Sequence, residues 1–358
     1  MNTESNSFLV AKRRSEELEV ELSQAPHTHR VLTGDRPTGP LHIGHEFGSI
    51  ENRVKLQNLG VESFIVIADY QVLTDRQEIA AIPENVRNIV LDYLSLGLNP
   101  WDYRTFIFTH SQIPELHQLV LPFSMLITVG ELERNPTIKE EIKASKIKKP
   151  SVGMFIYPIS QAADILFCKS TVVPVGKDQL PHIELTRKIA VRCNERYGKD
   201  LFSIPDALLS ESPLILGLDG SQKMSKSRLN AIFLSMTPDQ VDDAVKKAKT
   251  DSLGSVTYEP STRPEISNLV QIFSLCTNLP IETVVQMFDE KGYAVFKKAL
   301  AESVNAHLDP IRKRREGFAN DRNLVIEVLN KGIKEARLRA EQTLSELRYS
   351  MRMAIDLV

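Results

Sequence analysis

Cysteine is scarce in this chain: three in 358 residues, Cys168, Cys193 and Cys276, with no Cys-x-x-Cys spacing among them. That excludes a disulfide framework and a thiolate zinc site, and leaves three reduced packing residues. Long apolar runs are missing too: no window reaches the length that crosses a membrane, no signal peptide is expected, and the expected compartment is the cytoplasm. Neither sign of charge dominates. Lys and Arg number 44 against 46 Asp and Glu, a net charge of −2, which excludes a uniformly basic nucleic-acid coat but allows a local basic face. No compact metal cage is visible, so no protein metal site is expected. What remains is ordinary globular composition, 42% hydrophobic and 25% charged, enough for one large or two smaller domains.

Two stretches carry chemistry. Val31 and Leu32 lead into the Gly/Pro-rich turn Thr33-Gly34-Asp35-Arg36-Pro37-Thr38-Gly39-Pro40, and Leu41-His42-Ile43-Gly44-His45 then opens a run with helical spacing, Ile43, Phe47, Ile50 and Val54. That pattern is a strand, a tight turn and a helix N-terminus. Unpaired N–H groups and a partial positive charge make such a terminus a seat for phosphate. Gly44 lets a ring or phosphate approach the backbone, and the two imidazoles can donate hydrogen bonds to phosphate oxygens. Taken alone, the tetrapeptide fits a plain strand–helix turn with two surface histidines equally well. Downstream, Lys223-Met224-Ser225-Lys226-Ser227 reads as a mobile loop with two point charges and two hydroxyls, able to neutralise charge growing on a polyphosphate. Alone it is a solvated charged loop; in one chain with His-x-Gly-His, and in that order, it points to nucleotide chemistry.

Together these stretches resemble the signature elements of class I aminoacyl-tRNA synthetases. Three further segments narrow the resemblance to tryptophanyl-tRNA synthetases over roughly residues 30 to 350: Arg36-Pro37-Thr38-Gly39, Tyr157 through Leu166, and Val172-Val173-Pro174-Val175-Gly176-Lys177-Asp178-Gln179 with His182 through Arg187 behind it. The sequence departs from the commonest bacterial pattern at His42 and His45, Gln71, Gln161 and Lys177, which suggests a divergent second-type form. The resemblance implies that Tyr157 and Gln179 hold the amino acid's ammonium end, that Val173 and Val175 line its indole, and that Asp178 binds the ATP ribose. It places adenine between Gly44 and the backbone around Met224, and the phosphates against His42 and His45; Arg36, Thr38, Ser225 and Ser227 complete the ATP contacts. Gln161 and Asp164, one helical turn apart, can face one pocket, where a carboxylate under an apolar cavity accepts the indole N–H.

The fold expected is α/β. Apolar runs at Val31–Leu32, Ser63 to Asp69 and Thr105 to Phe108, alternating with helical patterns such as Pro83 to Leu96, indicate a doubly wound parallel sheet, Rossmann-like, with ligands at the carboxyl ends of the strands, where Gly34 and Asp69 fall. Residues 1–29 form an extension, a short helix on a flexible tail. Residues 30–230 form the catalytic domain, with a short helical insertion near 110–150. Residues 231–358 form an all-helical domain for the tRNA anticodon, starting at Thr237-Pro238, its last helix, Gly332 to Met353, packing back on the catalytic domain.

The reaction implied has two steps, attack of the tryptophan carboxylate on the α-phosphate of ATP, then transfer of the acyl group to the terminal ribose of tRNA(Trp). Magnesium accompanies the nucleotide, and a homodimer is implied. His42, His45, Lys223 and Lys226 would stabilise charge, so Lys226→Ala should lower adenylate formation far more than tryptophan binding. Other readings stay open: tyrosine as substrate, since Tyr157, Gln161 and Asp164 share their spacing with tyrosyl-tRNA synthetases; a simple nucleotidyltransferase; or a paralogue that binds tryptophan and ATP without charging tRNA.

Overall fold

The computed structural model describes residues 6–74, 79–145, 150–209, 215–225, 228 and 230–354. In chain order the elements are α1 (Asn6–Gln24), β1 (Arg30–Asp35), α2 (Ile43–His45), a π-helical turn (Glu46–Ile50), α3 (Glu51–Asn58), β2 (Glu62–Ile67), α4 (Ile82–Ser95) and β3 (Thr105–Thr109). Then come α5 (Pro114–Ser124), α6 (Val129–Arg134), α7 (Pro136–Ser145), α8 (Val152–Leu166), β4 (Val172–Val175), α9 (Leu180–Tyr197) and β5 (Asp206–Leu209). The rest is helical: α10 (Pro238–Lys247), α11 (Pro264–Thr277), α12 (Ile281–Met287), α13 (Gly292–Ala319) and α14 (Leu324–Ser350).

The strands form one parallel sheet in the order β3-β2-β1-β4-β5. Every residue of β2 and β3 is buried, as expected of strands covered on both faces. Alternation sends Ile65, Ile67 and Ile107 to one face, where they join α4 and the C-terminal helices α10, α11 and α13 in a single apolar cluster. Phe64, Val66, Phe106 and Phe108 take the other face and pack with α5, α8, α9 and α14. The predicted α/β fold is therefore present, with an apolar core continuous from sheet to helical part.

Three details depart from a plain reading of the sequence. The helix α1 lies on the sheet: Leu18 and Leu22 are buried with Val31, Val172 and Leu208, Arg14 Nε donates to Asp206 Oδ2 at 2.9 Å, and the Leu209 amide donates to Ser15 Oγ at 2.8 Å. The spacing of Leu18 and Leu22 is helical, but only the tertiary partners say that this face is covered. Helix α14 begins at Leu324, ahead of Gly332, because Val325 and Val328 extend its buried stripe. Gly332 is instead an interior contact, where a Cβ would come within 1.9 Å of the Ile107 carbonyl oxygen of β3, so only glycine lets this helix lie against that strand. Finally, Asp69 turns from the cavity: its Oδ1 accepts the Ser111 amide at 2.9 Å and its Oδ2 the Ser111 hydroxyl, which ties β2 to the loop behind β3.

Candidate active site

Strand order reverses between β1 and β4, the topological switch point at which open parallel sheets bind ligands. A cavity of about 520 Å³ opens there. It brings together Arg36, Thr38 and His45 from the first motif, Tyr157, Gln161 and Asp164 from α8, and Val173, Val175 and Gln179 from β4 and the turn behind it. Nine of the predicted site residues thus share one cavity wall.

At one end lies Asp164, 2% exposed. Its Oδ1 forms an ion pair with His110 Nε2 at 3.1 Å, and its Oδ2 accepts from Gln71 Nε2 at 3.4 Å. Burial works against the charged imidazole, yet the Asp164 carboxylate outweighs it and His110 titrates above its ordinary range. Tyr157 is oriented from behind: its hydroxyl lies 3.1 Å from His182 Nε2. Burial pushes His182 down to about 4, with Asp178 opposing, so this imidazole is neutral at neutral pH.

The other end is built from the first motif. The rings of His42 and His45 lie tilted against each other with centroids 3.8 Å apart, and the His42 amide donates to His45 Nδ1 at 3.2 Å. Burial and the neighbouring His45 push His42 down to about 3, and burial lowers His45 as well, so both rings are neutral hydrogen-bonding groups. His42 Nδ1 is buried without a hydrogen-bond partner. A Cβ on Gly44 would come within 2.9 Å of that same atom and 3.7 Å of Met224 Sδ, so His42, Gly44 and Met224 adjoin beside the cavity without lining it. Lys223, 63% exposed, reaches Asp178 at 3.7 Å across the mouth. The base of its loop is pinned by Asn230, whose Oδ1 accepts the Ser225 amide at 2.8 Å and whose Nδ2 donates to Asp219 Oδ2 at 3.1 Å. Lys226 and Ser227 lie outside the described residues.

Beneath this end sits a charged group that the sequence did not announce. Arg53 of α3, 4% exposed, donates to Asp35 Oδ2 at 2.7 Å and to Tyr93 Oη at 3.0 Å, and Tyr93 donates in turn to Asp35 Oδ2 at 2.5 Å. Burial alone would raise the Asp35 carboxyl, but Arg53, His45 and the two hydrogen bonds hold it down at about 2. Both Asp35 and Arg53 line the cavity.

A family model described as tRNA synthetases class I (W and Y) matches residues 24–309. The chain belongs to this family of synthetases. Among its relatives, the tryptophan–tRNA ligase of Clostridium longisporum is 42% identical, covering 90% of this chain and 96% of its own. That of Rickettsia conorii is 36% identical, covering 89% and 97%. A crystal structure of tryptophanyl-tRNA synthetase from Campylobacter jejuni, complexed with ADP and tryptophan, superposes with a TM-score of 0.78 at 31% identity, covering 90% of this chain and 99% of that one. The synthetase is thus an aminoacyl-tRNA ligase.

Several residues of the synthetase's site escaped sequence reasoning: Asp35, Arg53, Tyr93, His110, His182 and Asn230. For His110 a signal existed. It is the first residue past β3, at the carboxyl end where such sheets bind ligands. Asp35 likewise ends β1. Arg53 gave none, because it stands in the polar run Glu51-Asn52-Arg53-Val54-Lys55 that looks like a solvated helix.

Proposed function

We infer that this synthetase is a tryptophan–tRNA ligase: it activates tryptophan with ATP, releasing pyrophosphate, and transfers the tryptophanyl group to tRNA(Trp). The observation that carries the reading is Asp164, a buried carboxylate at the floor of the cavity with His110 and Gln71 beside it, opposite the His-x-Gly-His end. Asp164 Oδ1 is buried without a hydrogen-bond partner despite the ion pair; an indole N–H satisfies it, and an amino acid whose ring has no donor leaves it unsatisfied, so phenylalanine is rejected strongly. A phenol also carries a donor, which makes tyrosine the rival to test.

The steps follow from what the residues can do. Tyr157 and Gln179 hold the ammonium group, Gln161 and Asp164 the ring nitrogen, and Val173 and Val175 the indole faces. This arrangement aims the carboxylate towards the histidine end. Adenine lies against Gly44 and Met224, and the ribose against Asp178, which exchanges its contact with Lys223 for the sugar hydroxyls. Lys223 is then released to the phosphates, joined by Arg36, Thr38, Ser225, Ser227 and Lys226. The neutral His42 and His45 donate hydrogen bonds to phosphate oxygens, and the incoming negative charge favours their protonation. The tryptophan carboxylate oxygen forms a bond to the α-phosphorus as the bond to the pyrophosphate oxygen breaks; no side chain acts as nucleophile, and catalysis is orientation plus charge stabilisation. The acyl group then passes to the tRNA ribose hydroxyl, and the nucleoside monophosphate leaves.

Magnesium arrives with the nucleotide. Among the described residues no group of three His, Cys, Asp or Glu side chains could hold a metal ion. The phosphates and water would supply most of its ligands, and it would neutralise phosphate charge. Residues 30–230 act as the catalytic unit and 231–358 as the tRNA-binding unit, the latter with the exposed Lys246, Lys247, Lys298 and Lys313 for backbone phosphates, whereas Lys297, Arg314 and Arg315 are held by the Ala248 carbonyl, the Ser95 carbonyl and Asp92. A second copy covers the face where Tyr70, Leu73, Leu121 and Met125 are exposed, giving a homodimer. No helix among the described residues is long and apolar enough to cross a membrane, and the cytoplasm is the compartment proposed.

The test is amino-acid-dependent ATP–pyrophosphate exchange. Exchange with tryptophan alone is expected; exchange with tyrosine would reassign the pocket to a phenol, and silence with both would favour a paralogue that binds without activating. Within the same assay, Lys223→Ala should lower kcat by about tenfold while leaving KM for tryptophan unchanged, and an equal effect on both would remove its proposed transition-state role.

A further inference from the structure

The segment that follows His45 is not regular α-helix. Residues Glu46–Ile50 form a π-helical turn between α2 and α3. Such turns are rare, usually single, and concentrated at functional sites, since the wider winding forgoes the regular hydrogen-bond ladder and needs support from outside. Here His45, Gly48 and Ser49 line the cavity. Glu46, between them, does not. It is 4% exposed, and its Oε1 meets His307 Nε2 of α13 at 2.8 Å. Its Oε2 is buried without a hydrogen-bond partner, and Phe47 lies against the same imidazole with ring centroids 5.2 Å apart. The link spans the molecule from the first motif to the C-terminal helices, and no other described cation forms a salt bridge with Glu46.

We propose that His307 is a positioning residue for amino-acid activation: its ion pair with Glu46 holds the π-turn so that His45, Gly48 and Ser49 face the nucleotide, and it couples the helical part of the chain to the site. The proposal rests on reading that end of the cavity as the ATP end. A buried carboxylate deprived of its cation is unfavourable, so losing the pair gives the turn reason to rewind and rotate those residues off the wall. The charged and titratable groups around His307 are Glu46 before α3, Glu51 on α3, Arg314 on α13 and the Cys276 thiol of α11 near the two carboxylates. Burial lowers the imidazole, but Glu46 and Glu51 outweigh burial and Arg314, so His307 titrates above its ordinary 6.5. The pair is thus fully formed below that ordinary value and weakens as pH rises through the raised one.

The experiment uses the full chain, with His307→Gln, Glu46→Gln and the double variant. Tryptophan-dependent exchange is measured from acid to alkaline pH, and hydrogen exchange of the amides of residues 46–52 is followed over the same range. At the pH where the pair is formed, His307→Gln is expected to lower kcat about tenfold with KM for tryptophan unchanged. The wild type should lose a similar factor, and amide protection in the turn, as pH rises; His307→Gln should do neither, and the double variant should be no worse than either single one. Unchanged kcat in His307→Gln, or an alkaline loss of protection that persists in it, overturns the proposal, as do losses that move KM for tryptophan and thermal stability equally. Should the wild type give no exchange with any amino acid, the ATP reading fails by itself, and a pH-dependent protection of the turn that vanishes in His307→Gln would still uphold the pair.

Discussion

Replacing Asp164 with asparagine is expected to lower kcat/KM for tryptophan activation about a thousandfold, the equivalent of about 4 kcal/mol. Two losses combine in that figure. The indole N–H no longer meets a charged acceptor, and the amide presents its own donor to one side of a closed pocket. The second loss lies behind the substrate. His110 titrates high chiefly because Asp164 is 3.1 Å away, and with the carboxylate gone only the charge of Asp69 opposes burial of a ring enclosed with His117 and Tyr70. A histidine NMR titration of the variant should therefore show His110 moving down from its raised position. Discrimination against phenylalanine should collapse along with activity, because the penalty for leaving the buried Asp164 Oδ1 without a hydrogen bond disappears. A variant that keeps its preference for tryptophan over phenylalanine would remove Asp164 from the selecting role.

Arg53→Met should destabilise the fold by about 3–5 kcal/mol, as expected when one member of a buried ion pair is removed and the other stays. Methionine fills most of the volume, so the loss is electrostatic: Asp35 keeps a single donor, Tyr93, inside the cavity wall. The sign with pH follows. In the wild type Asp35 is held at about 2, below its ordinary 3.8, so its contribution to stability is fully present above that ordinary value and is lost as pH falls through about 2. In the variant burial prevails and Asp35 takes up a proton at higher pH, so the difference between the two proteins should narrow as the solution is acidified. Urea unfolding at neutral and mildly acid pH measures both; a difference independent of pH would mean that packing, and not charge, underlies the loss.

How much of this was legible depended on whether a residue's role is local. Strands β1 to β3 could be read because a strand buried on both faces is a continuous apolar run, and Ser63 to Ile67 is such a run. Strand β4 is four residues with Pro174 among them, too short to separate from loop by pattern, and β5 is no longer. Tyr157, Gln161 and Asp164 were legible because one helix carries all three on one side. Arg53 was not, since it acquires its meaning from Asp35 on β1, and His110 was legible only by its place at the end of β3, its pairing with Asp164 on α8 being tertiary. A buried guanidinium and a solvated one leave the same mark on a sequence. The difference between them is tertiary.

Helix α14 lies against β3 through Gly332, and its Ala336, Ala340, Leu344 and Leu347 complete the apolar cluster beneath Phe108 and Phe167. Since β3 is an outermost strand of the sheet, α14 closes a core whose strands were all made before it. During synthesis the sheet therefore emerges from the ribosome well before its cover, and the nascent chain carries an unsealed strand until α14 is free. Loss of that segment, by an early stop codon or a nick behind α13, would leave the hydrophobic flank exposed and ready to pair with a neighbour. Such a truncated chain should accumulate as aggregate even though every residue of the binding pocket is present in it.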